Sequence, residues 1–183
     1  ALRHAAFQVG SIITTTGFAT VDFNSWPTIP KTILVLLMFI GACAGSTGGG
    51  IKVSRIVLLF RSLTKELSQS LHPNQVRKIH FEGRAVEHVV LRSVNVFIAA
   101  YILIFAISVL LIGIDNYDLV TNFTAVAATL NNIGPGLELV GPAQNFGLFS
   151  NFSKLVLTFD MLAGRLELFP LLLLFYRGTW KRF

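Results

Sequence analysis

The sequence predicts an all-α integral membrane fold of helix, re-entrant loop and helix repeats, of which about one and a half are present. Three observations lead there. Of the 183 residues, 53% are hydrophobic and 13% charged, where soluble domains carry roughly 25% charged residues. Residues 32–51 and 93–114 run without a charge for 20 and 22 residues, long enough to span a bilayer. Finally, residues 12–20 (IITTTGFAT) have a second version at 131–136 (NNIGPG), and each follows an apolar segment too short to span. Non-helical backbone survives at membrane depth only where protein or water satisfies its polar groups. A ring of carbonyls replacing the hydration shell of a cation is one such use, and it requires the two stretches to lie together.

The net charge of +6 does not indicate nucleic acid, because the basic residues cluster in sequence, which is the mark of membrane topology. One cysteine, Cys43, excludes an internal disulfide. His72, His80 and His88 are not at metal-ligand spacing on one helical turn and read as surface residues. Without a convergent set of acid, base or metal ligands, an enzyme is not expected. The first residues lack both an initiator Met and the charged-then-apolar order of a signal peptide, so the chain reads as part of something longer.

In chain order, Leu2–Ile13 is apolar and suits either a re-entrant half-helix or a buried core helix. If re-entrant, its C-terminal end points at Thr14 to Phe18 and carries roughly half a negative charge, which favours a cation. Residues 21–30 read as a loop, with Pro27 and Pro30 breaking helix, Trp26 suited to an interface, and Asp22 either solvated or attracting cations. Residues 32–51 split into a bulky apolar half and a second half, GACAGSTGGG (41–50), with five glycines. Each glycine costs about 1 kcal/mol in a helix interior, so this half is expected to unwind. Close helix packing through small residues is the alternative. A phosphate-binding loop fails on spacing, since Ile51 separates Gly50 from Lys52.

Residues 52–92 hold eight Lys or Arg and form, with 71–92 as connector, a cytoplasmic stretch by the positive-inside rule. Residues 51–67 continue as helix, 71–74 turn, and 93–114 span. Between Ser93 and Ser153 there is no Lys or Arg. Leu119–Leu130 mirrors Leu2–Ile13. Residues 154–176 span again, with Asp160, Arg165 and Glu167 inside, where a charge costs at least about 2.5–3.5 kcal/mol and marks a pathway or an ion pair with another helix. Pro170 is expected to kink this helix, and Arg177, Lys181 and Arg182 to end it on the cytoplasmic side.

Four motifs, FQVGSIITTTGFATVDFNSWP, GACAGSTGGGIKVSR, NNIGPG and MLAGRLELFP, carry a resemblance to the Trk/Ktr/HKT superfamily of cation-transporting membrane subunits. The resemblance covers almost the whole chain. It implies potassium uptake across the bacterial cytoplasmic (inner) membrane by a multi-pass subunit, with K+ the transported ion and no covalently bound cofactor. It implies that 1–70 is most of a third pore-loop repeat and 93–183 a fourth. Gly17 and Gly134 are similar to the single filter glycine of each repeat. Thr15, Thr16 and Phe18, and Asn132, Ile133 and Pro135, flank them with carbonyls lining the K+ site. Where potassium-channel filters have a second glycine, the first stretch has Ala19 and the second keeps Gly136.

Gly41, Gly45, Ser46, Thr47, Gly48, Gly49 and Gly50, with Lys52, resemble the intramembrane gating loop of that superfamily, and Arg165 the arginine projecting into the pathway beside it. Homodimers and a cytoplasmic nucleotide-binding regulatory subunit of the TrkA-like kind are the implied partners. The basic connector suits that subunit or anionic lipid headgroups equally. The competing reading is a secondary permease with broken helices that binds a small substrate or Na+ at the midplane, a class that often shows inverted repeats.

Overall fold

The structure is a computed structural model that describes residues 2–43, 45–46, 48–72, 79–81 and 83–165, Arg84 by its backbone only. The second half of the expected last span, with Glu167, Pro170 and the terminal basic residues, lies outside the described residues, as do Thr47, residues 73–74 of the expected turn and 75–78 after it.

Among the described residues six α-helices carry the fold. Helix α1 (Leu2–Ile13) ends in the turn at Thr14–Thr15. Helix α2 (Thr28–Ile40) begins earlier than the prolines suggested, because Pro27 sits at its N-cap and Pro30 within its first turn, where no intrahelical partner is needed for the missing N–H. It stops at Gly41, with φ 67°. No described residue of 41–50 is helical, so the glycine run unwinds as its composition requires. Helix α3 (Val53–Leu71) outlasts the expected segment by four residues. A short antiparallel hairpin follows, β1 (His80–Phe81) with β2 (Arg84–Ala85), pairing His80 with Ala85. It is the one departure from an all-α chain among the described residues. Arg61 of α3 donates to the His80 carbonyl and stands over the Phe81 ring.

Helix α4 (His88–Ile112), with Glu87 at its N-cap, starts ahead of the uncharged stretch. With its last turn it forms the one described helix, His88–Asp115, long and apolar enough to cross a membrane unaided. Helix α5 (Leu119–Leu130) matches the predicted bounds, as α1 does. Helix α6 runs over Asn151–Arg165.

Helix α5 is the centre of the packing. It rests on α4, α6 and α2, and between Thr121 and Leu130 all but Phe123 is buried. One apolar cluster joins the two halves of the chain: Ile12 of α1, Phe23, Leu34 and Met38 of α2, and Ala127, Ile133 and Leu137 from around α5. A second packs Ala125 and Val126 against Ile112, Phe149, Val156 and Leu157.

Two polar ties supplement these clusters. The Asn24 side chain clamps the Glu138 backbone reciprocally, donating to its carbonyl at 3.2 Å and accepting from its N–H at 2.9 Å. Lys31 stands 3.8 Å from the Glu138 carboxylate. Deeper, Asp160 of α6 is fully buried and accepts from the Ser108 hydroxyl of α4 at 2.7 Å. Ser108→Ala strips that carboxyl of its described partner, and a buried polar group left unmatched costs about 1–3 kcal/mol; the expected result is a lower unfolding midpoint in detergent, measured by tryptophan fluorescence.

Candidate functional site

The ends of α1 and α5 are the same structure built twice. The N–H of Thr14 bonds to the Gly10 carbonyl and that of Asn131 to Ala127. Thr15 bonds back to Ile12 as Asn132 does to Thr129, and Thr16 to Ser11 as Ile133 does to Ala128. Gly17 and Gly134 then reach the same carbonyls, Ser11 and Ala128. These are Schellman endings, with one residue in the left-handed region: Thr15 at φ 54° and Asn132 at φ 55°. The correspondence aligns Gly17 with Gly134, both at positive φ (77° and 111°), which favours glycine. Thr14 to Phe18 is therefore no continuation of helix.

The two turns meet. A Cβ placed on Gly17 would lie 1.9 Å from the Ile133 carbonyl oxygen and 3.3 Å from the Pro135 ring. No side chain fits there, so glycine at 17 is demanded by contact as well as by φ. A cavity of about 500 Å³ is lined by Thr15 and Thr16 of one turn, Asn132, Ile133 and Gly134 of the other, and Lys154 and Thr158 of α6. The Lys154 ammonium is drawn to the Gly147 carbonyl at 3.0 Å. Both helices end at these turns, so the negative poles of two macrodipoles converge here. The Phe18 carbonyl accepts from the Ser11 hydroxyl at 2.6 Å, which engages one of its two lone pairs. Asp22 accepts from the Asn24 N–H at 2.9 Å and caps the short helical turn after it.

The glycine-rich segment packs directly on this pair. Cβ atoms on Gly48 and Gly49 would come within 3.2 Å of Thr15 Oγ1 and 2.3 Å of the Asn131 carbonyl oxygen. The segment also folds on itself, since a Cβ on Gly41 would lie 2.7 Å from the Gly49 carbonyl oxygen. Gly45, at φ 82°, is surrounded by open space. Lys52 has φ 21° at the start of α3. A second cavity of about 140 Å³ is lined by Ser46, Gly48, Gly50, Lys52, Arg55 and Arg165 among others. Arg165 and the segment thus share one cavity.

Three participants were not singled out from sequence. Asn131 is fully buried and takes the Tyr101 hydroxyl on its Oδ1 at 2.8 Å. A tyrosine in the middle of a spanning helix was the available signal, because its hydroxyl needs a partner. Gly164 lets α6 touch the end of α5, where a Cβ would stand 1.8 Å from the Leu130 carbonyl oxygen.

Comparison with known proteins identifies the family. Residues 1–179 match the family described as cation transport protein, TrkH. The Trk system potassium uptake protein TrkH of Salmonella typhimurium is 45% identical over 180 residues, 98% of this chain and 37% of that protein. TrkG of Escherichia coli K12, also a Trk system potassium uptake protein, is 36% identical over 97% of this chain and 36% of its own length. The crystal structure of the potassium transporter TrkH from Vibrio parahaemolyticus superposes with a TM-score of 0.88 at 44% identity, covering 97% of this chain and 38% of that one. The chain thus spans little more than a third of the length of these relatives. With the match running from its first residue to residue 179, and with relatives this similar, the chain belongs to the TrkH family of cation transport proteins.

Proposed function

We propose that this chain forms most of the third and all of the fourth pore-loop repeat of a potassium-uptake subunit in the bacterial cytoplasmic membrane. Potassium passes between the turns Thr15, Thr16, Gly17, Phe18 and Asn132, Ile133, Gly134, Pro135, which offer main-chain oxygens in place of water. The observation that carries this reading is the meeting of Gly17 with the Ile133 carbonyl. Two turns more than a hundred residues apart share one hydrogen-bond pattern and one cavity. Their match in the same chain direction also favours a pore-loop protein over a broken-helix permease, a class often built on inverted repeats.

The segment from Gly41 to Gly50 gates the path from below. It touches both turns, and its glycines lower the cost of changing backbone conformation. Arg165, on the same cavity, opposes a passing cation by its charge. Homodimerisation and a nucleotide-binding regulatory subunit on the cytoplasmic side complete the reading. The relatives' name, Trk system, supports a multi-component assembly, and the basic residues of α3 supply the charged surface.

The test is a chimera in which this chain replaces the matching segment of the Salmonella typhimurium relative, expressed in cells lacking their own potassium uptake. Uptake of K+ and Rb+ in preference to Na+ is expected, and absence of any such preference refutes the reading. Gly17→Ala is expected to lower K+ uptake about tenfold or more, because strained backbone costs about 1–3 kcal/mol and each 1.36 kcal/mol is tenfold in rate. Arg165→Ala is expected to raise flux at equal expression; unchanged flux removes the gating role from that residue.

A further inference from the structure

Tyr101 lies in the middle of α4, 3% exposed, on the wall of the cavity beneath the glycine-rich segment. Its hydroxyl donates to Asn131 Oδ1. The Asn131 amide nitrogen donates to the Ala127 carbonyl at 2.8 Å, so both halves of the amide are engaged and its plane is set. Asn131 is also where the segment rests. Gly49 abuts its main-chain oxygen, and a Cβ on Gly50 would lie 3.1 Å from its Oδ1. One residue therefore joins the base of the second filter turn, the segment below it and α4.

The flanks of the segment lean on the same helix. Phe39, in the last turn of α2, meets the Tyr101 ring edge-on at 6.5 Å. Arg55, in the first turn of α3, stands 4.0 Å over the Phe97 ring, and Phe97 stacks on Tyr101 at 6.3 Å. Helix α4 thus holds the segment at its entry, its exit and its contact with the filter.

We propose that Tyr101 is a positioning residue for the gate: through Asn131 its hydroxyl sets where the glycine-rich segment rests beneath the two filter turns. The inference deepens the pore reading and rests on it. Without the hydroxyl, Asn131 Oδ1 loses its donor and the amide, held only through its nitrogen on Ala127, is less firmly set against Gly49 and Gly50. The segment then loosens and the second turn, no longer backed, discriminates less between cations.

Tyr101→Phe in the chimera tests this, since it deletes one oxygen and keeps the ring. Ser108→Ala, which removes another buried hydroxyl from α4, is the comparison for a merely structural loss. Hydrogen exchange by mass spectrometry is expected to speed several-fold in residues 41–53 for Tyr101→Phe and to stay at the parent rate there for Ser108→Ala. The Na+ to K+ uptake ratio is expected to rise in Tyr101→Phe alone. Unchanged exchange in 41–53, loosening spread evenly over all helices, or an unchanged uptake ratio would each overturn the proposal. A parent chimera that carries no K+ refutes the pore reading instead, and that result is seen before any variant is compared.

Discussion

A peptide group withdrawn from water needs a partner, and at the ends of α1 and α5 that requirement determines almost everything nearby. In the pore reading each helix stops within the lipid layer, where unsatisfied carbonyls and N–H groups are most costly. The N–H groups of the following turn fold back onto the helix, from Thr15, Thr16 and Gly17 in one unit and from Asn132, Ile133 and Gly134 in the other. The donors are thereby used up and the main-chain oxygens of the turns are left as the polar resource. The surroundings protect that resource from alternative uses. Packing of Ile12, Ala127 and Ile133 into one cluster pins the two turns side by side, and the Asn24–Glu138 clamp ties the loops that follow them.

Close approach of bare backbone is the second recurring device. Gly17 against Ile133, Gly49 against Asn131 and Gly164 against Leu130 are three places where a Cβ would overlap a carbonyl oxygen. They join turn to turn, segment to turn, and α6 to the end of α5. A contact of this kind has little slack, so a small shift of the glycine-rich segment is felt at Asn131 without any intervening side chain. In the pore reading proposed above, that contact couples gate to filter over a short distance.

How much of this was readable in advance depended on whether the cause was local. The bounds of α1 and α5 followed from hydroxyl, amide and glycine residues after a short apolar run, and the unwinding after Ile40 from five glycines in ten residues. Helix α2 starts ahead of its expected bounds because a proline breaks helix only beyond the first turn, and Pro30 stands within it. Helix α4 begins before its uncharged stretch because charged residues at a helix start carry no penalty outside the lipid. The Tyr101–Asn131 bond, thirty residues apart, and the Gly164–Leu130 approach depend on how three helices cross. No spacing rule within one helix encodes them. The partner of the Phe18 carbonyl was equally hidden, since Ser11 reads as an ordinary helical serine until the turn curls back over it.

The two Schellman turns match in their main-chain bonds yet differ in the residue at the left-handed position. Asparagine enters that region readily, while threonine, branched at Cβ, does so against steric resistance. Asn132 therefore sits near rest at φ 55°, and Thr15 is held at φ 54° by its surroundings. A ring assembled from such turns is mechanically uneven: it has one compliant corner and one cocked corner, and any relaxation of the ring begins at Thr15.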